Sequence, residues 1–122
     1  MKTRKKLLYV DDDESTLNVV SKFLISKGFE VLTSTNPFVA PTLVKEAPDL
    51  LILDINMPLL SGDRIADVLT RQKYTDKIPI VFFSSEPVEK IERIAGRIPA
   101  ASYVTKQSGL EQLAIKIRAI LA

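Results

Sequence analysis

The chain has 122 residues, of which 46% are hydrophobic and 26% charged, and this is typical of one globular domain spanning residues 1–122. Its formal net charge of +2 is too small to indicate nucleic-acid binding. The absence of cysteine and histidine excludes disulfides, the usual zinc sites and histidine-activated nucleophiles. Any chemistry must therefore use carboxylates, hydroxyls, lysines and a hard metal ion.

The N-terminal segment is basic, and its first apolar run, Leu7–Val10, has four residues. Such a run is far too short for a signal-peptide core or a membrane span. We therefore expect a cytoplasmic protein without a membrane anchor. The basic cluster is interpreted as a solvated chain end formed by Lys2, Arg4, Lys5 and Lys6.

The first half of the chain alternates apolar runs with helical patterns. It predicts a strand at Leu7–Val10, a helix from about Glu14 to Lys27, an edge strand at Phe29–Thr35 and a helix from about Asn36 to Lys45. The first helix is expected to be capped by Asp12 or Asp13, to end at Gly28 and to bury Val19, Val20, Phe23 and Leu24. Pro37 suits a first helical position, but Pro41 does not. The second helix should therefore begin near Ala40 or have a distorted first turn.

The second half repeats the alternation. It predicts strands at Leu50–Leu53, Ile78–Ser84 and Ser102–Thr105, with helices over about Asp63–Gln72, Pro87–Arg97 and from Leu110 onward. Ser108-Gly109-Leu110-Glu111 reads as a capping box for the last helix. The predicted inward residues are Ile65, Val68 and Leu69, then Val88, Ile91, Ile94, Ala95 and Ile98, then Leu110, Leu113, Ala114, Ile117 and Leu121.

Five strands alternating with five helices predict a parallel sheet covered on both faces. Of the two common doubly wound orders, five strands suit the flavodoxin-like order 2-1-3-4-5, in which the crevice lies between strands 1 and 3. Ligands in such folds bind beyond the carboxyl ends of the strands. Asp11 and Asp12 follow strand 1, and Asp54 follows strand 3, so these three carboxylates are expected to converge there.

Three converging carboxylates repel one another and need a cation. Oxygen ligands without imidazole or thiolate select a hard ion such as Mg²⁺. With the metal orienting a phosphoryl group, Asp54 would be the nucleophile. Lys106 would supply a positive charge and Ser84 a hydroxyl donor to the phosphoryl oxygens.

These residues carry a resemblance to a known family. Val10-Asp11-Asp12, Asp54 with Met57-Pro58 and Gly62, Ser84 and Lys106 stand at the spacings of the CheY-like receiver domain of two-component response regulators. The resemblance covers essentially the whole chain.

The resemblance implies a phosphorelay switch rather than an enzyme with an external substrate. A histidine kinase or phosphotransfer protein would phosphorylate Asp54. Mg²⁺ would be held by Asp12, Asp54 and the backbone carbonyl of Asn56, with Asp11 acting through water. Ser84 would then move toward the phosphoryl group, and Tyr103 would turn inward and remodel the surface of helix 4, strand 5 and helix 5. Asn56 and Glu86 would set the lifetime of the phosphoryl group.

Partners follow from the same resemblance. We expect an unknown downstream protein, and a homodimer through helix 4, strand 5 and helix 5 is also open. On a helical wheel Ile115, Ala119 and Ala122 form an outward apolar strip on that surface. Because the chain ends with helix 5, we expect no direct nucleic-acid binding by this segment.

The sequence departs from the family pattern at three positions. Gln107 follows the lysine where the family usually has a proline in a cis peptide, serine replaces the commoner threonine at position 84, and Pro99 stands near the usual glycine. A cis peptide before a residue other than proline costs roughly 2.5–4 kcal/mol. We therefore expect a trans Lys106–Gln107 bond, a re-routed loop and a less rigidly positioned Lys106.

Three rival interpretations remain open. A haloacid dehalogenase-type phosphohydrolase would use Asp11 as its nucleophile, but its cap insertion and further acidic motif are not visible. A flavodoxin-like nucleotide binder would need glycine and hydroxyl residues where this chain has three aspartates. A degenerate receiver would serve as a protein-interaction module.

Overall fold

The apolar runs form one parallel sheet. The computed structural model describes residues 4–73 and 76–122, and its strands are β1 (Lys6–Val10), β2 (Glu30–Ser34), β3 (Leu50–Leu53), β4 (Ile80–Ser84) and β5 (Ala101–Thr105). Their order is β2-β1-β3-β4-β5 with every pairing parallel, which confirms the predicted topology. All residues of β3 and β4 are buried because helices cover both faces of the central strands, whereas β2 is the half-buried edge.

Helices follow the strands in alternation. They are α1 (Glu14–Ser26), α2 (Ala40–Leu43), α3 (Gly62–Arg71), α4 (Val88–Ala95) and α5 (Leu110–Leu121). The α2 helix is a single turn that lies between 3₁₀ turns at Pro37–Val39 and Val44–Glu46. It begins at Ala40, which confirms the first of the two predicted alternatives. Asp13 caps α1 by accepting from the backbone N–H groups of Ser15 and Thr16. No helix among the described residues is long and apolar enough to cross a bilayer.

Two hydrophobic cores lie on opposite faces of the sheet. Successive strand residues alternate between the faces, so Leu8 and Val10 join the core under α3 and α4. Leu7 and Tyr9 join the core under α1 and α5. This alternation places Tyr9 on the same face as Asp11, two residues further along.

Six of the predicted inward residues are not fully buried: Val19 and Val88 are exposed, and Phe23, Val68, Leu110 and Leu121 are half-buried. Val19 is 60% exposed, and Leu17 takes its place because Leu17, Val20 and Leu24 share one face of α1. Val88 is 41% exposed because it opens α4 at the surface. Val68 is half-buried, while Ala66 lies fully in the core.

The predicted capping box before α5 is wrong. Gly109 is the N-cap, with φ of +94° and no side-chain cap, because the chain makes a separate 3₁₀ turn over Lys106–Ser108. The hydroxyl of Thr105 accepts from the Ser108 N–H at 3.2 Å and so caps that turn instead. Element ends also shift by one or two residues; α4, for example, begins after Pro87, whose extended backbone forms its N-cap.

The loop after β5 has the expected peptide geometry. The described residues contain no cis peptide, so the Lys106–Gln107 bond is trans. Gln107 is exposed, and its Nε2 donates to the Ser85 carbonyl oxygen at 3.5 Å. On α5, Ile115, Ala119 and Ala122 are exposed, which confirms the predicted outward strip.

Candidate functional site

The ends of β1 and β3 bring three carboxylates together. These strands are paired in parallel up to Val10 and Leu53, and the Asp54 N–H donates to the Val10 carbonyl oxygen at 3.2 Å. One carboxylate oxygen from each of Asp11, Asp12 and Asp54 lies within 4.8 Å of the others. Asp11 and Asp54 are buried, with 0% and 5% exposure, and Asp12 faces solvent. The predicted convergence is therefore present.

Gly62 allows the start of α3 to approach the end of β3 closely. A Cβ at this position would overlap the backbone carbonyl oxygen of Asp54. The Gly62 N–H also donates to the Ile55 carbonyl oxygen at 3.2 Å. The absence of a side chain thus lets the helix brace the backbone that carries Asp54.

Asp11 makes three short contacts although none of its surface is exposed. Its Oδ1 accepts from the Asp13 N–H at 3.0 Å. Its Oδ2 accepts from the Tyr9 hydroxyl at 2.7 Å and from the Lys106 Nζ at 2.9 Å. Both oxygens are therefore held by donors, as a buried carboxylate requires.

Asp54 is held by two donors. Its Oδ1 accepts from the Asn56 N–H at 3.2 Å, and its Oδ2 accepts from the Lys106 Nζ at 3.3 Å. Burial raises the pKa of Asp54; the charge of Lys106 opposes this rise, and the negative charge of Asp11 adds to it. A further positive charge beside Asp54 would therefore stabilise its ionised form.

Lys106 reaches the acidic cluster from the opposite side of the crevice. Burial by itself lowers the pKa of Lys106. The hydrogen bond to Asp11 and the negative charges of Asp54 and Asp11 outweigh this effect, so the pKa of Lys106 is raised. Its Nζ also lies 6.0 Å from the centre of the Phe83 ring, within the range of a cation–π contact. The predicted lysine therefore lies at the site and remains protonated.

Ser84 ends β4 at the same edge of the sheet. It is fully buried, and it pairs in register with Thr105, the residue before Lys106. Its Oγ accepts from the Glu86 N–H at 3.2 Å, which leaves the hydroxyl proton free to donate elsewhere. The side chain of Glu86 forms an ion pair with Lys90 at 3.3 Å rather than facing the carboxylates.

Asn56 and Tyr103 occupy different surroundings. Asn56 is exposed just beyond Asp54, and its backbone is tied to the Asp54 carboxylate. Tyr103 is half-buried on the α4 side of β5, and a hydrogen bond to Glu92 raises the pKa of its phenol. The lifetime roles of Asn56 and Glu86 and the switch role of Tyr103 stay predictions.

The donor set fits a hard divalent cation. The three carboxylates offer oxygen ligands only, and Mg²⁺ commonly takes one or two carboxylates while keeping several waters. Asp12, which is exposed and has an oxygen near the other two, is open to a hydrated ion. The backbone of Asn56 lies beside the same cluster.

Known proteins show the same sequence pattern and fold. Residues 7–118 match the family model described as the response regulator receiver domain. The chain belongs to this family. Members take part in two-component signalling, in which they interact with histidine kinases and with downstream targets.

Individual relatives agree with this assignment. The receiver is 32% identical over 117 residues to the transcriptional regulatory protein CpxR of Klebsiella pneumoniae, covering 95% of this chain and 49% of that protein. It is 30% identical to the alkaline phosphatase synthesis transcriptional regulatory protein PhoP of Bacillus subtilis, over 96% of this chain and 48% of the relative. The receiver thus spans about half the length of these curated relatives.

Among solved structures, the chemotaxis protein CheY4 of Vibrio cholerae superposes with a TM-score of 0.87 at 25% identity. The alignment covers 97% of this receiver and 99% of that protein. A receiver domain protein from Clostridium thermocellum superposes with a TM-score of 0.84, also at 25% identity, over 95% of this chain and 93% of the other. The fold is therefore shared along nearly the whole length.

The sequence interpretation missed one residue of the receiver site. Tyr9 was read as part of a buried strand, yet its hydroxyl contacts Asp11. The signal that could have revealed it is spacing, because side chains two residues apart on a strand share a face. A tyrosine two residues before a buried aspartate can reach that carboxylate along the strand.

Proposed function

We propose that this receiver accepts a phosphoryl group on Asp54 from the phosphohistidine of a histidine kinase or phosphotransfer protein, in a reaction that depends on Mg²⁺. One observation carries the proposal. The carboxylate of Asp54 lies where two further aspartates and the Lys106 ammonium converge, beyond the carboxyl ends of the central strands. Asp11 is a poorer nucleophile, because three donors occupy its oxygens and none of its surface is exposed.

The transfer exchanges one bond to phosphorus for another. An oxygen of Asp54 attacks the phosphorus, the P–O bond forms, and the P–N bond to the histidine ring breaks as that ring takes up a proton. When bound by Asp12, Asp54 and the Asn56 carbonyl, with Asp11 acting through water, Mg²⁺ supplies charge neutralisation and orientation of the phosphoryl oxygens. Lys106 turns from the carboxylates to a phosphoryl oxygen and stabilises the charge that develops there.

The phosphoryl group then changes the output surface. The Ser84 hydroxyl donates to a phosphoryl oxygen, and Tyr103 leaves Glu92 and turns inward. The surface of α4, β5 and α5 is altered, and an unidentified downstream protein or a second copy of the receiver binds there. Loss of the phosphoryl group to water resets the switch, at a rate set in part by Asn56 and Glu86. The receiver thus catalyses its own phosphorylation and dephosphorylation.

The test is incubation with radiolabelled acetyl phosphate. We expect label in the native chain with Mg²⁺, little label in the presence of a chelator, and none in Asp54→Asn. Asp11→Asn should be labelled more slowly but still measurably. Label that persists in Asp54→Asn and disappears in Asp11→Asn would favour the phosphohydrolase interpretation. A folded native chain that takes no label from acetyl phosphate or from a kinase would favour the interaction-module interpretation.

A further inference from the structure

Tyr9 carries a buried hydroxyl group that has no role in the proposed reaction. The residue has no exposed surface and is packed in the core beneath α1 and α5. Its hydroxyl lies 2.7 Å from the Asp11 Oδ2. A hydroxyl that donates to a carboxylate at this distance forms a strong, charge-assisted hydrogen bond.

The position of Tyr9 follows from the strand. Tyr9 and Asp11 stand two residues apart, at and just beyond the end of β1, and so lie on the same face of the sheet. The aromatic ring is enclosed by core side chains, which fix its rotamer. The hydroxyl is therefore a rigid donor.

Lys106 donates to the same oxygen, but it is held differently. Its Nζ lies 2.9 Å from Asp11 Oδ2 and 3.3 Å from Asp54 Oδ2, and its side chain is 21% exposed. A four-carbon stem with a partly exposed end can turn between partners. In the proposed transfer, Lys106 turns toward the phosphoryl group and so withdraws a donor from Asp11.

We infer that Tyr9 is a positioning residue, which keeps the Asp11 carboxylate oriented toward the metal position while Lys106 engages the phosphoryl group. The inference rests on the proposed function. Without the Tyr9 hydroxyl, Oδ2 of Asp11 would have no donor whenever Lys106 turned away. Leaving an oxygen of a fully buried carboxylate without a donor is costly. The Asp13 N–H holds the other oxygen and cannot replace it.

The first test measures Mg²⁺ affinity by calorimetry in the presence of beryllium fluoride, an inert phosphoryl analogue that would engage Lys106 and so draw it away from Asp11. Removing a group that orients a metal-site carboxylate commonly weakens metal binding roughly 10–100-fold. We expect Tyr9→Phe to bind Mg²⁺ about tenfold more weakly, at the lower end of that range, because the Asp13 N–H still holds Asp11. Thr70→Val is the matched control, because it removes a hydroxyl that donates within α3, to the Ala66 carbonyl oxygen. Its affinity should be that of the native chain.

A double-mutant cycle shows whether Tyr9 acts through Asp11. In an Asp11→Asn background, adding Tyr9→Phe should change Mg²⁺ affinity no further. A purely structural role for the hydroxyl would instead lower affinity equally in both backgrounds. The cycle therefore separates positioning from general destabilisation.

A spectroscopic test uses the native chain and does not depend on the fold of the Phe variant. Mg²⁺ should perturb the near-ultraviolet absorbance of the tyrosine that is bonded to Asp11, and the perturbation should be lost in Asp11→Asn. Mg²⁺ binding with no tyrosine signal, or with unchanged affinity in Tyr9→Phe, would overturn this inference alone. A native chain that binds no Mg²⁺ would overturn the proposed function together with it.

Discussion

Two parts of the site are held in different ways. The floor consists of Asp11, Asp54 and Lys106. The rim consists of the side chains of Asn56, Glu86 and Gln107. The carboxylates of the floor are buried, and each accepts from Lys106 and from a donor two residues away along the chain. Rim side chains are exposed or pair near the surface, as Glu86 does with Lys90 one turn along α4.

We expect the two groups of residues to respond differently to substitution. Removing Lys106 from the floor leaves two buried carboxylates without their shared cation, which is expensive in a medium of low dielectric constant. A rim residue pairs in water, where the same change costs little. We therefore expect substitutions in the floor to alter stability and metal binding strongly, and those in the rim to alter chiefly rates.

The largest effect on stability is expected for Lys106→Met. It leaves the buried carboxylates of Asp11 and Asp54 without their shared cation. Urea unfolding at neutral pH without metal should show a loss near the lower end of the roughly 3–5 kcal/mol typical of broken buried pairs, because the lysine is partly exposed. Excess Mg²⁺ should restore part of the lost free energy of unfolding, because it supplies positive charge to the same carboxylates.

Lys27→Met is the control for that change. Lys27 pairs with Glu111 at 3.1 Å on the surface, and the partner is 65% exposed. Breaking such a pair should cost about 0–1 kcal/mol. Equal losses in the two lysine variants would remove the distinction between floor and surface.

Gly62→Ala should have the next largest effect. The added methyl group would overlap the Asp54 carbonyl oxygen, so the start of α3 must move away from β3. Overpacking of this kind typically costs about 1–3 kcal/mol, measured by urea unfolding. Gly96→Ala adds the same methyl group at the end of α4, where the nearest atom, the Glu92 carbonyl oxygen, would be 3.2 Å away, and it should cost less than Gly62→Ala. If the two variants lose equal stability, the close approach does not brace Asp54.

The pH dependence of stability tests the charge of Asp54 itself. Because its pKa is raised on folding, the native state binds more protons than the unfolded state between the two pKa values. The favourable contribution of the protonated group is present at low pH and is lost as pH rises through the folded pKa. In the native chain, the free energy of unfolding should therefore fall as pH rises through the folded pKa of Asp54. Asp54→Asn should lack this fall and should be more stable than the native chain at neutral pH without metal. Parallel pH profiles for the two proteins would contradict the assignment.

The smallest effect is expected at Gln107 in the rim. Its hydrogen bond to the Ser85 carbonyl oxygen is long and exposed, so Gln107→Ala should change the free energy of unfolding by less than about 0.5 kcal/mol. Gln107→Pro should give a loop closer to that of the family and a stronger response to phosphorylation, measured as the change in partner or self-association. If Gln107→Pro and Gln107→Ala respond alike, the missing proline is incidental.

The sequence predicted the sheet and the meeting of the acids because both follow from strong, short patterns. The apolar run Leu50–Leu53 indicates a strand buried on both faces, and an aspartate at the end of such a strand lies at the carboxyl edge of the sheet. Side-chain detail was less predictable. Val19 and Leu17 are both apolar, and only the packed helix decides which one faces the core. Serine commonly caps helices, but Ser108 lies in the 3₁₀ turn and Gly109 takes the N-cap position of α5 instead. The spacing of Tyr9 and Asp11 predicts that they share a face of the strand, but the hydrogen bond itself depends on how the ring packs in the core.

Locating the phosphoryl group on the chain tests directly whether Asp54 is the phosphoacceptor. After phosphorylation with acetyl phosphate and Mg²⁺, borohydride reduces an acyl phosphate to an alcohol, which mass spectrometry of the peptides then places. We expect reduction at Asp54, with Asp11 and Asp12 unmodified. Reduction at Asp11 in place of Asp54 would contradict this assignment.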